Sequence, residues 1–174
     1  MTRVGVVGAA GKMGKTLVAM IRESPDLDLA AAVDQPGQQA IGQDAGTVAN
    51  VGETGVFIAD DLAQVVADID VLIDFTIAVA TEKSMEICHS AGTRMVIGTT
   101  GLSESQIVRL DEISSSVPVV FASNYSIGVN ATFQLVEMAV FRLHQLCSAS
   151  TAAHNVTPLC GIPHLTLPLL NWTH

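Results

Sequence analysis

Short apolar runs alternate along this chain with longer stretches whose apolar positions recur at helical spacing. The runs are Val4 to Val7, Leu29 to Val33, Val56 to Ala59, Asp70 to Thr76, Arg94 to Ile97 and Val117 to Phe121. Each is short, rich in β-branched residues and bounded by polar or glycine-containing segments, which predicts a strand. Behind the first run, Met13, Leu17, Met20 and Ile21 predict one face of a helix. Asp60 or Asp61 can cap a short helix from Leu62 to Ala67, and Ala78 to Ala91 forms another with Ala80, Met85, Ile87 and Cys88 among its apolar residues. Ser103 with Gln106 makes a capping box for a helix whose apolar face is Ile107, Leu110 and Ile113. A last helix runs from Gly128 to about Leu146, and a glycine- and glutamine-rich loop fills the chain from Asp34 through Asn50. Strands alternating with helices predict an α/β fold: a Rossmann-type open parallel sheet with helices on both faces.

Composition narrows the class. At 174 residues, 49% hydrophobic and 14% charged, the chain has the length and apolar content for a sizeable core in one domain or slightly more. A formal net charge of −9 argues against binding nucleic acid or an anionic membrane. Cys88, Cys147 and Cys160 cannot form a closed disulfide set, and Met1 leads straight into the first strand, so the expected setting is a reducing cytoplasm. The mean hydropathy of +0.45 raises the question of a membrane span. Asp68, Asp70 and Asp74 break the run around Val71, and Pro158, Pro163 and Pro168 interrupt the uncharged tail, so none is expected.

The chemistry concentrates in the first turn. Gly8, Gly11 and Gly14 follow the first strand and open the first helix. A glycine at Gly8 permits a sharp turn, one at Gly11 leaves room for a pyrophosphate, and one at Gly14 lets helix and strand pack closely. The helix start then offers free N–H groups and a positive dipole end to phosphate. The spacing is G-x-x-G-x-x-G, which alone also fits an ordinary strand-to-helix turn. Asp34 supplies the context: it lies 20 residues after Gly14, at the end of the second apolar run, where an acid accepts hydrogen bonds from a ribose. With Gln35 next and no arginine beside it, NAD is favoured and NADP is the alternative. Ligands of open parallel sheets lie beyond the carboxyl ends of the strands. That rule selects Gly8, Ala9, Ala10, Gly11, Lys12 and Met13; Asp34; Gly98, Thr99 and Thr100; and Ala122, Ser123, Asn124 and Tyr125. Lys12 and Lys15 either assist phosphates or are simply solvated.

Four segments in order, Val6 to Gly14, Asp74-Phe75-Thr76, Val96 to Gly101 and Phe121 to Asn130, together resemble the bacterial 4-hydroxy-tetrahydrodipicolinate (dihydrodipicolinate) reductases. The resemblance covers residues 1 to about 142. It implies NAD(P)H-dependent reduction of a cyclic imine dicarboxylate on the diaminopimelate route to lysine, with Gly8 to Met13, Asp34, Gly98 to Thr100 and Ala122 to Tyr125 lining the cofactor, the same segments that the sheet rule selects. It also implies a dinucleotide-binding domain over 1–130 and a connecting helix over 131–147, followed here by an atypical tail over 148–174. One departure is Ile77-Ala78, where the family often has proline.

A larger departure follows Arg142, after which 32 residues carry no Lys, Arg, Asp or Glu. The family continues there into a mixed α+β domain that opens with a Glu-Ala-His-His-x-x-Lys segment and an Asp-Ala-Pro-Ser-Gly-Thr turn. Neither is present, so that second domain is expected to be absent or truncated, and no catalytic residue is assigned; His154 does not take the role. The tail reads as an altered frame or truncation, against the alternative of a divergent tail packed on the last helix. His144, Cys147, Cys160 and His164 have zinc-like spacing in an unusual order, but coincidence is the preferred reading and no metal is assigned. His89 reads as a solvated helix residue. Partners are then a small-molecule dicarboxylate in the complete enzyme, without nucleic acid or membrane. The family's homo-oligomer is not expected without the second domain. The competing reading is a non-catalytic dinucleotide-binding module. A different oxidoreductase with a similar first half is disfavoured by Phe121 to Asn130.

Overall fold

The computed structural model describes residues 1–141 apart from Ser123, Phe133 and Glu137. Two compact units are resolved, Met1–Tyr125 and a second beginning at Ser126. The first is built on strand β1 (Thr2–Val7), with β2 (Leu27–Val33), β3 (Ile58–Ala59), β4 (Val71–Asp74), β5 (Arg94–Ile97) and β6 (Val119–Phe121). They form one sheet in the order β3-β2-β1-β4-β5-β6, every neighbouring pair parallel. This is the doubly wound order, in which the chain reverses direction across the sheet between β1 and β4.

Side-chain alternation along the strands sorts the core into two layers. Val4 and Val6 pack with Val18 and Ile21 of helix α1 (Lys12–Glu23) and Ala45 of the short helix α2 (Ala45–Val48). Leu72, Met95 and Ile97 pack on the other face with Met85 and Cys88 of α3 (Ala78–Ala91) and Leu110 and Ile113 of α4 (Glu104–Ser114). Helices therefore cover both faces. A register shift between Val4 and Gly5, where Leu29 is followed by Ala31 as partner, marks a bulge in β2. Across α3 and α4, Arg109 grips Glu86 through Nε at 2.7 Å and Nη2 at 2.9 Å.

Several local expectations need correction. The buried stripe of α1 is Gly14, Val18 and Ile21, whereas Met13 and Met20 are exposed. Of the expected stripe, Ile21 is buried and Leu17 packs half-buried against the same layer; the helix approaches the sheet through Gly14, which turns Val18 inward and leaves the two methionines outside. Leu62 to Ala67 is not one helix but two 3₁₀ turns, Leu62–Gln64 and Val66–Asp68, the first capped by Asp61 onto the amide of Ala63 at 3.0 Å. The capping box of Ser103 and Gln106 is present, but Ile107 lies on the exposed side of α4. Chain beyond Tyr125 is helical over 127–132, beginning one residue before the expected Gly128. The expected end of that helix near Leu146, the 131–147 connection from residue 142 on and the 148–174 tail lie outside the described residues.

The stretch after Asp34 is more ordered than a loop, because Asp44 organises it. Its carboxylate caps α2 through the Thr47 amide at 2.9 Å and accepts from the amides of Thr54 at 3.1 Å and Gly55 at 2.7 Å. Partial burial pushes this carboxyl's pKa up, but the bonds from Thr47, Thr54 and Gly55 outweigh it and bring it from 3.8 to about 2. A folded-state value below the unfolded one means that the charged Asp44 stabilises the fold above about pH 4, and that this contribution disappears as pH falls toward 2. Urea unfolding of Asp44→Asn should accordingly show lower stability than the parent at pH 7 and a shallower loss between pH 4 and 2. Parallel curves for the two proteins across that window would contradict this role.

Candidate functional site

At the end of β1 the chain turns on Gly8, whose φ of +72° falls in the left-handed region and whose missing Cβ would stand 2.8 Å from Thr76 Cγ2. The next amides are already committed: Ala9 N donates to Val33 O at 3.1 Å, Ala10 N to Asp34 Oδ2 at 2.8 Å and Gly11 N to Gly8 O at 2.9 Å. Gly11 is the N-cap of α1 and has no side chain to cap with, and the first intrahelical bond is Lys15 N to Gly11 O at 3.0 Å. The amides of Lys12, Met13 and Gly14 therefore precede the helical ladder and form its positive end. A Cβ on Gly14 would sit 2.1 Å from Gly8 O, while one on Gly11 would meet only Gly8 O, at 3.1 Å. Gly14 is thus required by packing, and exposed Gly11 keeps the mouth of the turn open. Ala9 is buried, whereas Lys12 and Met13 reach solvent.

Asp34 follows β2 on the same edge of the sheet. Its amide donates to Ala59 O at 2.9 Å, Oδ2 accepts from Ala10 N, and Oδ1 accepts from Gln35 N at 2.8 Å. The acid therefore joins the glycine turn directly, and each oxygen retains a lone pair for another donor. The half-buried carboxylate is held in a fixed place beside the helix terminus.

The loops after β4, β5 and β6 meet around an aromatic pair. Gly98 has no room for a side chain, since a Cβ would come 2.0 Å from Phe75 Cε1. The Phe75 ring lies 5.5 Å from that of Tyr125 at a 53° tilt. Tyr125 Oη donates to Ile97 O at 3.0 Å, with Val120 O at 3.2 Å; burial raises this phenol's pKa, against a hydrogen bond from the Ala122 backbone that lowers it. Ala122 N donates to Ile97 O at 3.2 Å and prolongs the β5–β6 pairing. Thr99 is buried, its hydroxyl accepting from Thr81 Oγ1 at 2.8 Å, whereas Thr100 is exposed. Asn124 is half-buried. Ser123 lies outside the described residues, as do His144, Cys147, His154, Cys160 and His164.

Sequence reasoning quoted Asp74, Phe75 and Thr76 only as a family motif, not as site residues, and missed Thr81; all four join these loops from beneath. The signal was available: Asp74 ends β4, so the rule that picked out Asp34 and Gly98 applies to it equally. Thr76 Oγ1 donates to Asp74 Oδ1 at 2.5 Å. A depression of about 280 Å³ bounded by Val66, Asp70, Gly92, Arg94 and Pro118 lies at the opposite edge, at the amino ends of β4 and β5. Its glycine, Gly92, ends α3, so the depression faces the C-terminal end of that helix. Among the described residues no helix is long and apolar enough to cross a membrane.

Comparison with known proteins agrees with this geometry. The family profile "Dihydrodipicolinate reductase, N-terminus" matches residues 2–125. The 4-hydroxy-tetrahydrodipicolinate reductase of Alkalilimnicola ehrlichii is 48% identical over 138 residues, which cover 79% of this chain and 52% of that protein. The enzyme of the same name from Acinetobacter baylyi is 48% identical over 137 residues, covering 79% and 50%. The chain thus spans about half the length of the curated relatives it matches. Among solved structures, the dipicolinate-bound dihydrodipicolinate reductase from Paenisporosarcina sp. TG-14 superposes with a TM-score of 0.53 at 24% identity, over 66% of this chain and 43% of that one, a likeness of fold. With its glycine turn, strand order and 2–125 match, this chain belongs to the dihydrodipicolinate reductase family, of which it carries the N-terminal, Rossmann-type domain.

Proposed function

We propose that this chain is the cofactor-binding half of an NADH-preferring reductase of 4-hydroxy-tetrahydrodipicolinate, acting on the diaminopimelate route to lysine. The observation that carries the reading is the bond from Ala10 N to Asp34 Oδ2 at 2.8 Å, which fixes an acid beside a helix terminus with open amides. The cradle fits a dinucleotide: Gly8 and Gly14 have no space for side chains, and Gly11 leaves the mouth clear. Amides of Lys12 and Met13 receive the pyrophosphate, with the helix dipole adding to the attraction. Asp34 accepts from the adenosine ribose and repels a 2′-phosphate. Gly98, Thr100, Ala122 and Tyr125 border the other half of the cofactor, and the Phe75–Tyr125 pair gives that edge a rigid apolar wall. When bound, the nicotinamide supplies a hydride to the substrate. The complete enzyme's remaining segment orients the dicarboxylate and supplies the proton.

A second reading, a dinucleotide-binding module without catalysis, is favoured for the 174-residue chain taken by itself. After Arg142 it contains no lysine or arginine to pair with two substrate carboxylates.

Replacing Asp34 with Asn keeps an oxygen for Ala10 N but removes the charge. Fluorescence titration should show NADH weakened by about 1.5–3 kcal/mol, as for loss of a charge-assisted hydrogen bond, and NADPH unchanged or improved. Equal losses for both dinucleotides would remove Asp34 from cofactor selection.

Supplied with NADH and freshly generated substrate, the 174-residue chain should bind the dinucleotide yet turn over at least about 10²-fold more slowly than a complete reductase, the usual cost of a missing general acid. Turnover within tenfold of that control would show that a substrate site exists within these residues.

A further inference from the structure

Asp74 is 1% exposed at the carboxyl end of β4, a central strand, and the proposed cofactor contacts do not use its side chain. One of its oxygens carries an unusual load. Oδ1 accepts from Thr76 N at 2.9 Å, from Thr76 Oγ1 at 2.5 Å and from Thr99 Oγ1 at 3.4 Å. Thr99 Oγ1 in turn accepts from Thr76 N at 3.1 Å and from Thr81 Oγ1 at 2.8 Å, which brings in the first turn of α3. The main chain adds a further tie, Gly98 N to Asp74 O at 2.9 Å. Oδ2 is buried with no hydrogen-bond partner. A core that only needed filling would not keep a carboxylate with one oxygen left unsatisfied, because desolvating it costs more than an apolar side chain would. The carboxylate keeps its place through what Oδ1 gathers.

What it gathers is the floor of the loop edge. Thr76 sends its methyl group to the spot where a side chain on Gly8 would stand, 2.8 Å from that absent Cβ, so Thr76 abuts the glycine turn. Thr99 is flanked by Gly98, on which the Phe75 ring lies, and by exposed Thr100. We infer that Asp74 is a positioning residue for the dinucleotide: its Oδ1 locks the β4 and β5 loops to each other and against the glycine turn, and so sets affinity for the cofactor without touching it. This rests on the cofactor reading above. It differs from the role of Asp34 in one respect that can be measured, since a residue that places loops affects NADH and NADPH alike.

The test uses the full 174-residue chain, with NADH and NADPH titrated separately at low temperature and circular dichroism confirming that each variant is folded. Asp74→Ala and Thr99→Val should each raise the Kd for both dinucleotides by about tenfold, the scale of one well-placed hydrogen bond to a charged group. Asp74→Asn keeps an oxygen at Oδ1 and should restore binding to within about threefold of the parent. Should Asp74→Ala fail to fold, Thr99→Val decides, because it deletes one hydroxyl and keeps the side-chain shape. A Thr99→Val chain that binds both dinucleotides like the parent overturns the inference and leaves the cofactor reading standing, as does an Asp74→Asn chain as weak as Asp74→Ala. A parent chain that binds neither dinucleotide overturns both.

Discussion

Gly14 has no room for a side chain: a Cβ there would lie 2.1 Å from Gly8 O and 2.7 Å from Ala9 Cα. That close approach of α1 to the end of β1 is the constraint on which the loop edge depends. It brings the start of the helix onto the strand end, so the open amides of Lys12 and Met13 emerge where the sheet reverses direction. It also turns Val18 and Ile21 onto Val4 and Val6, which forms one of the two core layers. Binding chemistry and packing here come from the same contact. A larger residue at Gly14 would move the helix, and the site would move with it.

From this contact the remaining loops follow in order across the sheet. Asp34 ends the neighbouring strand on one side and reaches Ala10 N; Asp74 ends the neighbouring strand on the other and reaches Thr76 and Thr99. Two acids thus flank the glycine turn in different environments. Asp34 is half-buried with lone pairs to spare, which suits recognition of a donor from outside. Asp74 is enclosed, with its donors all on one oxygen, which suits holding the protein's own loops. Burial separates their tasks, since both are aspartates at the carboxyl ends of strands.

Much of this was legible in the chain because strands and glycine turns leave local signals. All six strands lie within the apolar runs that predicted them or extend them by a few residues, and α3 begins and ends as expected. Gly8 and Gly14 were assigned their turn and packing roles from their spacing between a strand and a helix, with Asp34 as context, and the geometry requires glycine at both. The failures are tertiary. Met13 and Met20 fit a helical stripe together with Leu17 and Ile21, but the approach of Gly14 leaves the two methionines exposed and buries Val18 beside Ile21. Asp44 gathers amides as far away as Gly55, a partnership that no local pattern announces, so α2 was read as loop. Asp74 was quoted as part of a motif and passed over as a site residue, because a buried carboxylate shows its role only when its donors are known. The thiol of Cys88, read as a small apolar residue, is indeed buried, and burial with the charge of Asp74 pushes its pKa up to about 12.

The account's central claim is that a dinucleotide lies along the carboxyl edge of this sheet, on the glycine turn and the loops beyond β2, β5 and β6. Amide NMR of the isotopically labelled chain, titrated with NADH, tests it most directly. The expected result is saturable shifts of the amides of Ala10 to Met13, Gln35, Gly98 and Tyr125 with a common midpoint, while Gly92 and Arg94 at the opposite edge stay unmoved. Shifts confined to Gly92, Arg94 and their neighbours, or none at saturating NADH, would contradict it.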